Sequence, residues 1–286
     1  MEVWAEMKQR IISSVIGLGV LALVLAFYET AVFNITIIVL ILLAVYELFK
    51  AAKLTEHRPL FLLCLVFSAL VPLLQTKHLG GQLAVICGAY AFLLFLNLIR
   101  YHNTLRIEQV SLAFFFGLMV PFSFSVMQLV HDRYEMSVSI LYLLMMLGGA
   151  WLTDTGAYFS GRMFGKHKMA PQISPHKTVE GAIGGILCNL VCYYLLTWLY
   201  ITAVGYFFQI AIQVNYLALG ILALLASAAG ILGDLTASVI KRQCGIKDFG
   251  SIMPGHGGVM DRFDSVLFVA PTVFVYIQYV ELFTLV

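Results

Sequence analysis

The segment Ser238–Asp264, SVIKRQCGIKDFGSIMPGHGGVMDRFD, holds seven charged side chains in a chain that is 11% charged overall. They are Lys241, Arg242, Lys247, Asp248, Asp261, Arg262 and Asp264, with Asp234 just upstream. Two chemistries coexist there. Lys241, Arg242 and Lys247 carry positive charge suited to phosphate oxygens. Asp261 and Asp264 stand three apart, so in a helix both carboxylates project from one face and can share a hard cation such as Mg²⁺. Gly255, Gly257 and Gly258 flank His256 and free the backbone for positive φ and close approach to a ligand. An ordinary cytoplasmic loop accounts for Lys241 and Arg242 through the positive-inside tendency. It does not account for Asp234 and Asp264, each beside or inside an apolar run, where an unpaired carboxylate costs about 2.5 to 3.5 kcal/mol near a helix centre.

A second polar element, Arg162–Glu180 (RMFGKHKMAPQISPHKTVE), precedes the first in the chain. Its GRMFGKH start has the wrong spacing for a phosphate loop and lacks Ser or Thr after Gly-Lys. The string Ser174–Gly181 (SPHKTVEG) is more informative. Lys177 can meet phosphate, and Thr178 and Glu180 lie where a new helix begins with unpaired backbone N–H groups, an anion cradle or simply a capped helix start. Asp154, in the preceding apolar run, is either a metal ligand and phosphate-site organiser or the partner of Arg162, and the sequence leaves both open. His167, His176 and His256 lack zinc-site spacing. The five cysteines form no CxxC and indicate no disulfide framework.

These groups must be held at a membrane. With 61% hydrophobic residues and mean hydropathy +0.94, the chain is too apolar for a soluble domain. The fold class read from it is an all-α integral membrane protein of about nine transmembrane helices. The spans are Ile11–Tyr28, Ala31–Phe49, Leu60–Leu74, Leu83–Ile99, Val110–Val130, Ser137–Gly161, Gly181–Ala203, Tyr216–Ile240 and Phe263–Leu285. The first is read as a retained helix, long for a signal peptide and without a convincing cleavage site. Lys and Arg divide 15 against 2 between the two sides, Lys77 and Arg133 being the minority. That bias places the amino terminus and both polar loops in the cytoplasm and the active site on the cytoplasmic side. Residues 1–136, about five helices, read as scaffold; residues 137–286, about four helices, read as the catalytic region. Glu47, close to Lys50, reads as half of an interfacial ion pair, and Asn34 and Asn97 as bonds between helices or at span ends. Gly148, Gly149 and Ala150, Gly181 and Gly185, and Ala226, Gly230 and Gly233 offer faces for close helix approach.

The order S-x-x-K-R-x-x-x-x-K-D-x-G followed by P-x-H-G-G-x-x-D-R-x-D in Ser238–Asp264 resembles the signature of the phosphatidate cytidylyltransferases. Met253 before Pro254, where Leu, Ile or Phe is expected, is a mild apolar departure. S-P-x-K-T-x-E-G at Ser174–Gly181 is also similar, so the likeness covers about Asp154 to Asp264. The resemblance implies an enzyme that joins CTP to phosphatidic acid at the bilayer, giving CDP-diacylglycerol and pyrophosphate. Lys177, Lys241, Arg242, Asp261 and Asp264 are the expected catalytic groups. Ser174, Thr178, Lys247, His256, Gly257, Gly258 and Arg262 would bind substrate. Asp234, Asp261 and Asp264, with Asp154 as a further candidate, would hold one or two divalent ions, Mg²⁺ first. Location in the plasma (inner) membrane, no nucleic-acid partner and room for homo-oligomers complete the reading. The rivals are a CTP-dependent lipid kinase and, from another class, an anion transporter, against which the absence of an internal repeat and the crowding of charge on one side argue.

Overall fold

A computed structural model describes residues 2–74, 80–253, 255 and 257–285. The chain divides into two compact units, Met1–Asp132 with Gln243–Arg262, and Arg133–Arg242 with Phe263–Val286.

In the first unit, α1 (Glu2–Ala26), α2 (Ala31–Ala51), α3 (Arg58–Leu74), α4 (Gly80–Arg100) and α5 (Ile107–Arg133) follow one another through short links. Helix is forced by the solvent, because hydrocarbon offers no partner for a peptide group left unbonded. Thr30 starts α2, its hydroxyl accepting from the Val32 N–H at 3.2 Å. Lys53, at φ 57°, turns the chain after α2. The α3–α4–α5 core centres on Tyr90, which stacks on Phe67 at 3.9 Å and donates to the Ala113 carbonyl at 2.9 Å. Gly117 lies against the Tyr90 hydroxyl, where a Cβ would collide. Asn34 does bond between helices, accepting from Gln128 Nε2 at 3.0 Å. Asn97 instead donates to Leu93 in its own helix at 3.0 Å.

The second unit contains α6 (Met136–Phe164), a hairpin of β1 (Lys168–Ala170) and β2 (Ser174–Thr178), α7 (Val179–Phe208), β3 (Ile212–Val214) and α8 (Tyr216–Gln243). After the one-turn α9 (Met260–Phe263), which straddles the division, α10 (Val266–Tyr279) and β4 (Phe283–Leu285) complete it. Helices α6 and α7 meet through small residues. A Cβ on Gly156 would lie 2.5 Å from Cys188 Cβ, and one on Gly185 would lie 2.6 Å from the Thr153 carbonyl oxygen. Polar groups tie the bundle internally: Asn189 donates to Ser227 Oγ at 2.9 Å, Thr153 donates to the same oxygen at 3.3 Å, and Tyr193 donates to the Met145 carbonyl at 2.7 Å. On α7, Ile183, Leu187, Val191, Leu195 and Trp198 are exposed in a helical stripe, as a lipid-facing surface requires.

The all-α membrane class fits this architecture. Among the described residues, six helices are long and apolar enough to cross a membrane: α2, α4 over 82–100, α5, α6, α7 and α8. Val15–Ala26 and Arg58–Leu74 are shorter apolar helices. The ninth expected span departs most. Phe263–Leu285 becomes a 14-residue α10 ending in a strand, because Val280 leaves helical geometry and β4 pairs antiparallel with β3, Val214 opposite Phe283. Periodicity carried no sign of that pairing, since the two strands are short and about seventy residues apart in sequence.

Candidate active site

In the second unit, the hairpin, the start of α7 and the ends of α6 and α8 surround a cavity of about 470 Å³. Its wall includes Asp154, Tyr158, Arg162, Ser174, Lys177, Thr178 and Asp234. The hairpin sets Lys177: β1 and β2 pair antiparallel with Lys168 opposite Thr178 and Ala170 opposite Ser174. Glu180 fixes its base by accepting from the Lys166 and His167 N–H groups, each at 3.1 Å from Oε2, and from His167 Nδ1 at 2.5 Å. Thr178 caps α7, its hydroxyl accepting from the Gly181 N–H at 3.1 Å. Of the two readings of this element, the structure shows the capped helix start.

Lys177 forms an ion pair with Asp234 of α8. One helical stretch later, Lys241 Nζ lies 4.0 Å from Asp264 Oδ2. Asp264, only 7% exposed, accepts from the Ser265 N–H at 2.7 Å through Oδ1, and the Ser265 hydroxyl donates to Asp154 Oδ2 at 3.1 Å. Asp154 is thus bonded to Ser265, while Arg162 donates to the Tyr158 hydroxyl at 3.1 Å. Asp154 lies within electrostatic range of Asp234, Asp264 and Lys177 together. Arg242 reaches back to the hairpin, its Nε donating to the Ile173 carbonyl at 3.4 Å. The second unit therefore brings together Asp154, Lys177, Asp234, Lys241 and Asp264, drawn from four separate stretches of sequence. The carboxylates are hard oxygen donors of the kind Mg²⁺ takes. Among the described residues no three acidic, histidine or cysteine side chains already converge on one ion.

The first unit holds the glycine-rich stretch. Asp261 Oδ2 accepts from the N–H groups of Phe249 at 2.8 Å and Gly258 at 2.9 Å. Met253 donates to the Gly257 carbonyl at 2.9 Å across a turn in which Gly255 and Gly257 take φ of 75° and 84°. Those angles and a carboxylate oxygen 2.9 Å from where a Gly257 Cβ would sit require glycine there. His256 lies outside the described residues. Lys247 and Arg262 are exposed. The continuous helix on which a shared face for Asp261 and Asp264 depended is interrupted: α9 ends at Phe263 and the chain turns through Asp264 and Ser265 before α10 begins. The two carboxylates accordingly face different partners, backbone amides for Asp261, Ser265 and Lys241 for Asp264.

Sequence reading gave Glu47 the wrong main partner. It is 1% exposed, and its two carboxylate oxygens accept from the N–H groups of Val259 at 3.1 Å and Met260 at 2.7 Å. An interfacial pair with Lys50 is not its main engagement. Backbone donors 212 residues away leave no motif to read. The only signal was an acidic residue in an otherwise apolar run.

An apolar helical scaffold with two lysine–carboxylate pairs, one of them on the wall of a cavity, is the architecture of a polytopic membrane protein. A model of the Cytidylyltransferase family matches residues 8–280. This chain belongs to that family. It is similar to the phosphatidate cytidylyltransferase of Bacillus subtilis (strain 168), 34% identical over 276 residues that cover 93% of this chain and 96% of the relative. It is also similar to the enzymes of that name from Staphylococcus haemolyticus (strain JCSC1435), 46% identical over 132 residues, and Staphylococcus aureus (strain COL), 48% identical over 132 residues. Both staphylococcal matches cover 46% of each chain, about half the length of those enzymes.

Proposed function

We propose that this chain is a phosphatidate cytidylyltransferase, converting CTP and phosphatidic acid into CDP-diacylglycerol and pyrophosphate. Family membership supports the reaction type, and full-length similarity to the Bacillus subtilis enzyme supports the lipid substrate. The observation that carries the reading to particular residues is the pair of lysine–aspartate contacts, Lys177 with Asp234 on the wall of the 470 Å³ cavity and Lys241 with Asp264, which Ser265 links to Asp154 on the same wall.

A phosphate oxygen of phosphatidic acid attacks the α-phosphorus of CTP, forming the new P–O bond. The bond from that phosphorus to the bridging oxygen breaks, and pyrophosphate leaves with the electron pair. The lipid phosphomonoester is already largely ionised near neutral pH, so no side chain has to remove a proton. What remains is positioning and charge neutralisation. Lys177 and Lys241 bring ammonium groups to phosphate oxygens, and Arg242 adds a guanidinium beside the hairpin. Thr178 and Ser174 offer hydroxyls, and Lys247, Arg262, His256, Gly257 and Gly258 remain substrate-binding candidates of the glycine-rich stretch. Asp234 and Asp264, with Asp154 joined to Asp264 through Ser265, would hold Mg²⁺. Bound there, the ion would supply positive charge against the crowded phosphates. Asp261, assigned with them from sequence, has its Oδ2 engaged by two backbone amides.

The same charge bias that suggested an inside amino terminus would put the second unit's cavity in reach of cytoplasmic CTP, in a plasma-membrane protein. The test is pyrophosphate release by purified protein in vesicles containing phosphatidic acid. Release should require CTP, the lipid and a divalent ion together. Release without the lipid, or none with all three, contradicts the reading.

A further inference from the structure

We infer that Glu47, in the second helix of the chain, is a positioning residue for the reaction, holding the glycine-rich stretch through its backbone. The inference rests on the cytidylyl-transfer reading for its activity readout, but its geometry stands apart from that reading.

Glu47 is buried near the end of α2, and its two oxygens are divided between two successive amides, Oε1 taking Val259 and Oε2 taking Met260. These amides open the turn that carries Asp261 and Arg262. Only a carboxylate offers two acceptor oxygens to two adjacent N–H donors. The surrounding backbone is shaped to this group: a Cβ on either Gly250 or Gly258 would collide with the Glu47 carboxylate. Gly258 also donates to Asp261 Oδ2, so the glycine that makes room for Glu47 is the one that anchors Asp261. Glu47, Gly258 and Asp261 therefore form one linked clamp. A buried acid serving only helix packing would need neither two glycines against it nor two amides aimed at it.

The experiment uses full-length protein in lipid nanodiscs. In Glu47→Gln, one acceptor becomes an NH₂ facing a backbone N–H. Hydrogen exchange in the peptide spanning 246–260 should rise, and kcat/KM for CTP should fall about tenfold or more, the scale of a lost bond to a charged group. Gly258→Ala should lose activity by forcing its methyl into the carboxylate. Glu47→Ala removes the obstruction, so the Glu47→Ala, Gly258→Ala double variant should be no worse than Glu47→Ala alone. Unchanged exchange in Glu47→Gln overturns the clamp. Raised exchange with unchanged kcat/KM overturns the positioning role, and losses that multiply in the double variant contradict the shared geometry. If the unaltered protein turns over no CTP, the cytidylyl-transfer reading fails while exchange at 246–260 is still read.

Discussion

Lys177 has two jobs in this account, and a pair of substitutions separates them. In the structure it is ion-paired to Asp234, the two side chains being 22% and 27% exposed. Fully exposed pairs contribute up to about 1 kcal/mol. Breaking a fully buried one costs about 3 to 5 kcal/mol, because a charge is left buried and unpaired. At intermediate burial, Lys177→Met should destabilise the protein by about 1 to 3 kcal/mol, between those limits. Its effect on catalysis has a different origin. Losing a charge-assisted bond to a phosphate oxygen costs about 1.5 to 3 kcal/mol, or roughly 10- to 150-fold in kcat/KM. Adding Asp234→Asn removes the stranded carboxylate. The double variant should recover most of the melting temperature lost by Lys177→Met, yet stay as inactive as that variant or worse. Detergent-solubilised melting and a pyrophosphate-release assay measure the two effects on the same preparations. Recovery of activity along with stability would mean that Lys177 serves only to neutralise Asp234 and does not contact phosphate.

Lys241→Ala and Arg242→Ala should each reduce kcat/KM at least tenfold while Arg106→Ala leaves it near normal, because charge-assisted phosphate contacts are worth about 1.5 to 3 kcal/mol and Arg106 belongs to a basic loop elsewhere; equal activity of all three would make the basic residues topological signals. Asp264→Asn keeps the side chain's size but weakens a metal ligand, so activity should fall and the Mg²⁺ concentration needed should rise; an unchanged Mg²⁺ titration removes Asp264 from the metal shell. Gly185→Ala places a methyl 2.6 Å from the Thr153 carbonyl oxygen in the α6–α7 contact and should cost about 1 to 3 kcal/mol in a denaturation series, whereas Gly88→Ala, with nothing within 4 Å, should cost almost nothing. Equal effects would contradict that close packing.

What sequence revealed and what it hid follows from the range of the interactions. Apolar run length marked the helices because the bilayer imposes it residue by residue. Small residues on α6, α7 and α8 marked close approach for the same local reason. Lys177, Asp234, Lys241 and Asp264 stood out because charge inside or beside an apolar run needs a partner, although the pairing of particular residues is a product of the fold. The helix assumed to run through Asp261 and Asp264 is broken by the turn at Asp264–Ser265. Asp154 was left open between Arg162 and a site role, and its observed partner, Ser265, is 111 residues away. Glu47 was paired with Lys50 instead of its observed partners, because those are backbone amides, which every residue but proline carries and no motif records.

Transfer of the cytidylyl group to a lipid phosphate can be followed with two labelled forms of CTP. With phosphatidic acid, purified protein and Mg²⁺, CTP labelled at the α-phosphorus should pass its label to the organic phase in CDP-diacylglycerol. CTP labelled at the γ-phosphorus should leave the lipid unlabelled and release its label as pyrophosphate. Label from the γ-position in the lipid, with CDP as the soluble product, would contradict the account and establish a lipid kinase instead.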